Sequence, residues 1–418
     1  MNKIGLEVLD DETREKYRGE LDLDEHRLIT YRVLYKGENW DEKGKLCGKY
    51  LTAKSADNKS YKILVGNNFK SGVSTKSGDL VVYENYSCNR ICENFDESQI
   101  NYIRLTINND ITTDKVIELD YGTTPFGIRT TEYMWEHSVD TATLKLISQP
   151  VITGGNDNYN VTKRTILNIT FTKNKVNEVV KEIYNILRYL EILTYSNIIV
   201  ESIVVGDIED ASEYKIFYDS TLNYSTSQKS EELIKYNGEE LTNTLGNYIS
   251  IGNDLAKVVA MYLRCIHSSE HYLYDSIFWR FQTLDYLAKT RNEIKSIIRK
   301  VRADKKDAGI KLSKRIEYVE KLTALTKMAG IGLCMEAIDE LKNIRNMLAH
   351  GDSDVEYTSY EMISALRILD CCIRNIIGKL TTSNIKLLYN WEFELQQNID
   401  LLKKRNIRDK AAEHLEKE

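Results

Sequence analysis

Proline fixes φ and removes a backbone donor, so its placement limits where long helices can run. This chain has two prolines, Pro125 and Pro150, and none in all the sequence after Pro150. The texture changes with them. The first ~170 residues read as short strands rich in β-branched and aromatic residues, separated by Gly/Asn/Asp/Ser turns such as Gly154–Asp157. Leu28–Tyr35, Asp79–Tyr83, Tyr102–Ile107 and Thr165–Thr172 are the clearest of them. An amphipathic helix follows over Val176–Tyr195, with Val176, Val179, Ile183, Ile186, Leu190 and Leu193 stepping by three and four. Two more strand-like runs, Ile198–Val205 and Tyr214–Tyr218, precede a polar stretch.

From Asp254 onward helical periodicity dominates, and helices are expected near 254–267, 271–301, 313–329, 332–350, 359–380 and 384–415. Thr358 and Glu361 form a capping box at the start of the fifth. At 418 residues and 48.4 kDa the chain exceeds one ordinary core. The expected organisation is α+β: a β-rich domain over 1–219, a connector over 220–253 and an all-helical bundle over 254–418.

No apolar run approaches the ~20 residues of a membrane span, and Met1–Glu20 has no basic segment leading into an apolar one, so no secretory signal is read there. Seven scattered cysteines argue for a reducing cytoplasm rather than a disulfide framework. Charge is uneven. From Ile251 to the end there are 28 Lys/Arg and 24 Asp/Glu, leaving 29 and 39 for the first 250 residues, a net of −10 there.

The segment that carries chemistry is Leu341–Gly351, LKNIRNMLAHG. Leu333, Ala337, Leu341, Ile344 and Leu348 form a helical apolar stripe, and Gly351 stands where a helix would end. His350 then lies at a helix C-terminus, a placement that suits an imidazole used for proton transfer. Arg345 is a permanent cation whose planar fork matches a phosphate. A bare R-x4-H recurs by chance, so its weight comes from context: Asn346 directly after the arginine, the Ala-His-Gly ending and the capped helix beyond. Five residues of α-helix rotate about 140°. Arg345 and His350 therefore share one phosphate only if the helix unwinds at Ala349–Gly351 or a second copy completes the site across a two-fold axis.

Eleven basic residues lie between Lys289 and Arg315. Among them Lys295, Arg299, Lys300, Arg302, Lys305 and Lys306 are read as an RNA phosphate-tracking surface, against the plainer reading of a solvated helix end. Cys88 and Cys92 lack two further nearby ligands for zinc, with Cys47 and His137 only distant in sequence, and are read as reduced thiols; no metal and no cofactor is expected. Cys371 and Cys372 are read as core, and His267 and His271 as surface or capping groups. The 27 tyrosines are spread too evenly to mark a base-stacking site.

RNMLAHG in an all-helical C-terminal domain resembles the HEPN superfamily, whose nucleases carry R-x4–6-H. Ile277–Lys289, and Arg188–Leu190 with Leu193–Tyr195, resemble the corresponding parts of ApeA-like HEPN proteins. The resemblance implies a metal-independent endoribonuclease, acting on tRNA or another RNA, in abortive-infection defence against phage. His350 would transfer the proton, Arg345 would stabilise the phosphorane and Asn346 would position the phosphate. It also implies a homodimer or higher homo-oligomer, a phage-derived trigger and no membrane partner. Where the family often has Glu, this chain has Asp285, a candidate for orienting a catalytic group. The alternative is a non-catalytic HEPN module that binds RNA, nucleotide or a partner protein.

Overall fold

Alternation of buried and exposed residues along the first strands closes a sheet on itself. In the computed structural model, β1 (Lys3–Asp10), β2 (Lys16–Asp22), β3 (Arg27–Leu34), β4 (Tyr50–Ser55), β5 (Ser60–Lys76) and β6 (Asp79–Glu93) pair antiparallel in the order β6-β3-β2-β1-β4-β5. β5 returns to pair with β6, which closes a six-stranded barrel and removes its edges. Leu6, Val8, Leu21, Leu28, Leu51, Ile63, Val65 and Cys88 fill the interior. The residues described are 3–34, 43–76, 79–93, 100–107, 110–120, 127–139, 142–155, 158–173, 175–208, 215–219, 234–251, 253–268, 273–350, 356–382, 385–386 and 391–415.

The sheet continues from β6 through β14 (Lys215–Asp219) and β13 (Val200–Gly206) to β7 (Tyr102–Ile107), β12 (Asn158–Phe171), β11 (Ala142–Gly155) and β10 (Tyr133–Val139). Strands β8 (Ile117–Asp120) and β9 (Gly127–Thr130) pair separately. Pro150 lies inside β11, a position a proline tolerates only where its missing N–H is not called on. The register explains it. β10 covers β11 only as far as Ser148, opposite Tyr133, so Pro150 sits just past the covered edge while Lys163 of β12 flanks its other side. Pro125 lies outside the described residues.

The chain divides into two compact units. One holds Met1–Tyr184, Ile198–Gln228 and Asn237–Thr242; the other holds Asn185–Asn197, Lys229–Tyr236 and Asn243–Glu418. The division runs through α1 (Val176–Thr194), not beyond residue 219 as the sequence pattern implies. Its second half belongs to the helical unit for a packing reason. Residues 185–194 are buried almost all round, whereas the first half is amphipathic. Tyr189 stacks on Tyr248 at 4.0 Å and its hydroxyl lies 3.0 Å from that of Thr381. The buried Arg374 guanidinium donates to the carbonyls of Ile192 (2.5 Å) and Leu193 (3.3 Å), satisfying the C-terminal end of α1.

Nine helices are present among the described residues. The stretch read as a connector contains one, α2 (Gly238–Ile251), followed by α3 (Asn253–Ser268). The single helix expected over 271–301 is two, α4 (Leu273–Thr290) and α5 (Asn292–Asp307), because the backbone at Arg291 is extended (φ −88°, ψ 122°). Thr290 and Asn292 around it are weak helix formers. Then come α6 (Tyr318–Ala329), α7 (Met335–His350), α8 (Ser359–Leu380) and α9 (Trp391–Leu415). The Thr358 capping box is present: its hydroxyl accepts from Glu361 N–H at 3.3 Å, and the Glu361 carboxylate accepts from Thr358 N–H at 2.8 Å. Gly330 ends α6 in the left-handed conformation (φ 76°), which frees Ile331 N–H to reach Thr326 O. No helix among the described residues is long and apolar enough to cross a membrane.

Candidate functional site

α7 is helical because Ala337, Ile338, Leu341 and Ile344 recur at three- and four-residue spacing and all are buried. Arg345 follows Leu341 by one turn and so inherits the inward side of the helix. Its guanidinium is half-buried and lies 4.8 Å above the ring of Tyr318 on α6. Asp285 on α4 stands beside it, Oδ2 at 3.8 Å from Nη2, while Asp285 Oδ1 accepts from Lys321 Nζ at 3.1 Å. Tyr318 and Lys321, three apart on α6, thus face the same carboxylate and guanidinium.

This cluster is not saturated. Arg345 Nε and the Tyr318 hydroxyl are buried without a hydrogen-bond partner among the described residues. Burial pushes the Tyr318 phenol far up, and the Asp285 charge adds to it, so the ring stays neutral as the face under a cation. Phe281 packs against that ring edge to face, with the ring centres 6.2 Å apart. Asn346 is half-buried, and its Oδ1 lies 3.4 Å from Arg345 Nη1.

His350 is exposed in the last turn of α7. The helix is unbroken at Ala349 and His350, so the unwinding anticipated there is not present at these two residues; Gly351 lies outside the described residues. Alanine is the best helix former, and Leu341 and Ile344 anchor the preceding turns in the core. The 140° rotation therefore stands. Arg345 is turned toward α4 and α6, and His350 projects from a different side.

The chain returning from α7 is pinned. Tyr357 donates to the buried Glu340 carboxylate at 2.7 Å, and Asn406 of α9 donates to its other oxygen at 3.1 Å. Arg405 covers the Tyr357 ring at 5.2 Å and reaches Glu361 at 3.4 Å.

The basic stretch divides into two groups. Arg302 points inward, donating to buried Glu320 at 2.8 Å and to the carbonyls of Ser313 and Arg315, so it holds the loop between α5 and α6. Lys305 lies 3.8 Å from the same Glu320. A side chain occupied in this way is a fold element rather than a phosphate contact. Arg299, Lys300 and Lys306 are exposed and Lys295 half-exposed, and these four form no ion pair among the described residues. Lys295, Arg299 and Lys306 fall on one stripe of α5 at 100° per residue.

Cys88 and Cys92 are buried thiols of the barrel strand β6 and are not joined in a disulfide. Burial pushes the Cys88 thiol up to about 12. Among the described residues no group of three or more His, Cys, Asp and Glu is placed to hold a metal ion. Cys371 and Cys372 are core residues of α8. The His267 side chain and His271 lie outside the described residues.

Sequence reasoning missed Tyr318 and Lys321. Nothing local marks them, because their partners stand 27 and 36 positions away in sequence. No protein-family model, curated protein or solved structure matches this chain.

Proposed function

We propose that the helical unit is a metal-independent endoribonuclease of HEPN type, with Arg345, Asn346 and His350 as its reacting set. The observation that carries the reading is the pairing on one helix of a clamped guanidinium with an exposed imidazole. Asp285 and Tyr318 hold Arg345 from two directions while Nε is left without a protein partner. A guanidinium fixed before substrate arrives is what stabilising a developing phosphorane charge requires. His350, open to solvent, takes the proton from the RNA 2′-hydroxyl or delivers one to the departing 5′-oxygen. The products are a 2′,3′-cyclic phosphate and a 5′-hydroxyl. Lys295, Arg299, Lys300 and Lys306 supply the surface that follows the RNA backbone.

Because α7 is regular through His350, the site as proposed is assembled from two copies across a two-fold axis, which brings two Arg345 and two His350 around one cleft. Tyr360 and Ile363, exposed apolar side chains in the first turns of α8, offer an apolar surface for a contact between copies. In the cell, cleavage held silent until infection would halt growth and with it phage production.

The test is RNA cleavage by the full chain in excess EDTA, with chemical identification of both new ends. Activity that survives chelation and leaves cyclic phosphate is the expected result. Activity abolished by EDTA, or 3′-hydroxyl ends, would exclude this chemistry. If the chain binds RNA with steep salt dependence yet leaves it intact under every triggering condition, the non-catalytic module is the correct description.

Asp285 is proposed as a positioning residue. Asp285→Asn is expected to slow cleavage roughly five- to tenfold, about 1 kcal/mol of a partly buried ion pair. Affinity for uncleaved RNA should stay near wild type, and Asp285→Glu should restore part of the rate. Equal losses in binding and rate would show a folding defect instead.

A further inference from the structure

The sheet of the N-terminal unit carries a hollow that the nuclease reading does not use. Gln149 of β11, Arg164 and Ile166 of β12, Arg104 and Thr106 of β7 and Val204 of β13 line a space of about 240 Å³. The register brings them together. Gln149 stands opposite Arg164, Ile166 opposite Thr106, and Val204 opposite Arg104. Arg104 pairs with Asn168, four positions along β12 from Arg164. At 3.3 Å per residue the two arginines start about 13 Å apart along the strand. Both nonetheless border one hollow, approaching it from opposite ends over Ile166 and Thr106.

Neither guanidinium is needed by the fold. The Arg104 side chain makes no hydrogen bond or ion pair among the described residues. Among the described residues Arg164 meets only Glu201, at 3.0 Å, and both side chains are more than a third exposed, so the pair contributes little to stability. Glu201 sits at the bulge of β13, the irregular point of that strand. The first 250 residues carry a net charge of −10, so two arginines facing one hollow are not the by-product of a basic surface.

We propose that this hollow binds a linear oligophosphate, either free or as the phosphate chain of a nucleotide. Each arginine presents a planar fork that grips a phosphate with two parallel hydrogen bonds. The Thr106 hydroxyl and the Gln149 amide are donors between the two ends. The apolar Ile166 and Val204 limit water beside the charges, which strengthens their attraction to an anion. The space is below the roughly 300 Å³ at which pockets for drug-sized ligands begin. Among the described residues its lining also has no aromatic ring on which a base would stack. Recognition is therefore of the phosphate chain, and the base remains outside.

The experiment is isothermal titration of the full chain with tripolyphosphate, ATP and orthophosphate. Tripolyphosphate and ATP are expected to bind once per chain with similar affinity, and orthophosphate at least about tenfold more weakly, since it reaches one arginine only. Arg104→Ala and Arg164→Ala should each weaken tripolyphosphate about tenfold or more, and together abolish it. Glu201→Gln should tighten it by releasing Arg164. Arg345→Ala, and Arg299→Ala with Lys306→Ala, should leave it unchanged, so the result is independent of the nuclease reading. Both arginines are half-buried, and an unchanged melting curve of the double variant checks that it is folded. No heat with millimolar tripolyphosphate, full binding by the folded double variant, or loss of binding in the α5 variant would each overturn the proposal. ATP binding without tripolyphosphate binding would overturn it as well, because the base would then be the recognised part.

Discussion

His350→Ala is expected to lower RNA cleavage by about 10²–10⁴-fold, the usual contribution of a positioned proton-transfer group. His350 is exposed in the last turn of α7, so unfolding free energy should change by no more than about 0.5 kcal/mol. Loss of rate without loss of fold separates chemistry from structure. Arg345→Ala should be equally inactive. The informative step is to mix the two inactive proteins. After subunit exchange about half the dimers are mixed, and each keeps one Arg345 and one His350, from different subunits, at the shared cleft. Activity should then rise far above either variant alone, up to about half of wild type. If the mixture is no better than the sum of its parts, Arg345 and His350 act within one chain or not at all. A strictly monomeric active protein, seen by light scattering across a dilution series, would rule out the shared cleft as well.

The second large effect is on stability. Arg280 of α4 is fully buried, and Asp370 of α8 is the charge that faces it, accepting from Nε at 3.0 Å and Nη2 at 2.8 Å. Its remaining nitrogen donates to the carbonyls of Cys265 and Ser276 and to the Ser276 hydroxyl. Asp370→Ala strands a guanidinium in the core, which costs about 3–5 kcal/mol when one partner of a buried pair is removed. Urea titration followed by helical circular dichroism would read this as a lower midpoint at unchanged slope. Asp370→Asn keeps an acceptor and loses only the charge, so it should fall between. Arg280→Met with Asp370→Leu should be far less destabilising than the two single changes added together, because no unpaired charge remains. A loss below about 1 kcal/mol in Asp370→Ala would mean that the carbonyls alone satisfy Arg280.

Much of this molecule is local and was legible on that account. The three-four periodicity and the Thr358–Glu361 box each involve residues within a few turns of one another, and the absence of proline after Pro150 is read one residue at a time. They mark α1, α3, α7 and α8 within a few residues. Tyr102–Ile107 is a strand with those ends, and Cys371 and Cys372 are core. Arg345, Asn346 and His350 were marked by spacing and composition alone. The barrel was not legible as a barrel: its closure depends on β5 pairing with β6 as well as β4, which no single strand announces.

Other features exist only once distant segments meet. Arg302 and Arg299 are indistinguishable as sequence, yet one is tied to buried Glu320 and the other is open to solvent. The second half of α1 has the same periodicity as the first, but it is enclosed by residues from 236 to 386 and belongs to the other unit. Arg345 was a lone cation in a motif until α4 brought Asp285 and α6 brought Tyr318 beside it. Sequence by itself determined the α+β order, the position of α7 and the about 140° between its two candidate groups, because helix geometry is set by neighbours along the chain. The apolar stripe already marked which side of α7 is buried; tertiary structure decided what meets that side, and so that Arg345 is clamped by Asp285 and Tyr318 while His350 is left in solvent. That choice rests on apolar burial and ion pairing between segments far apart in the chain, and neither can be summed over a local window.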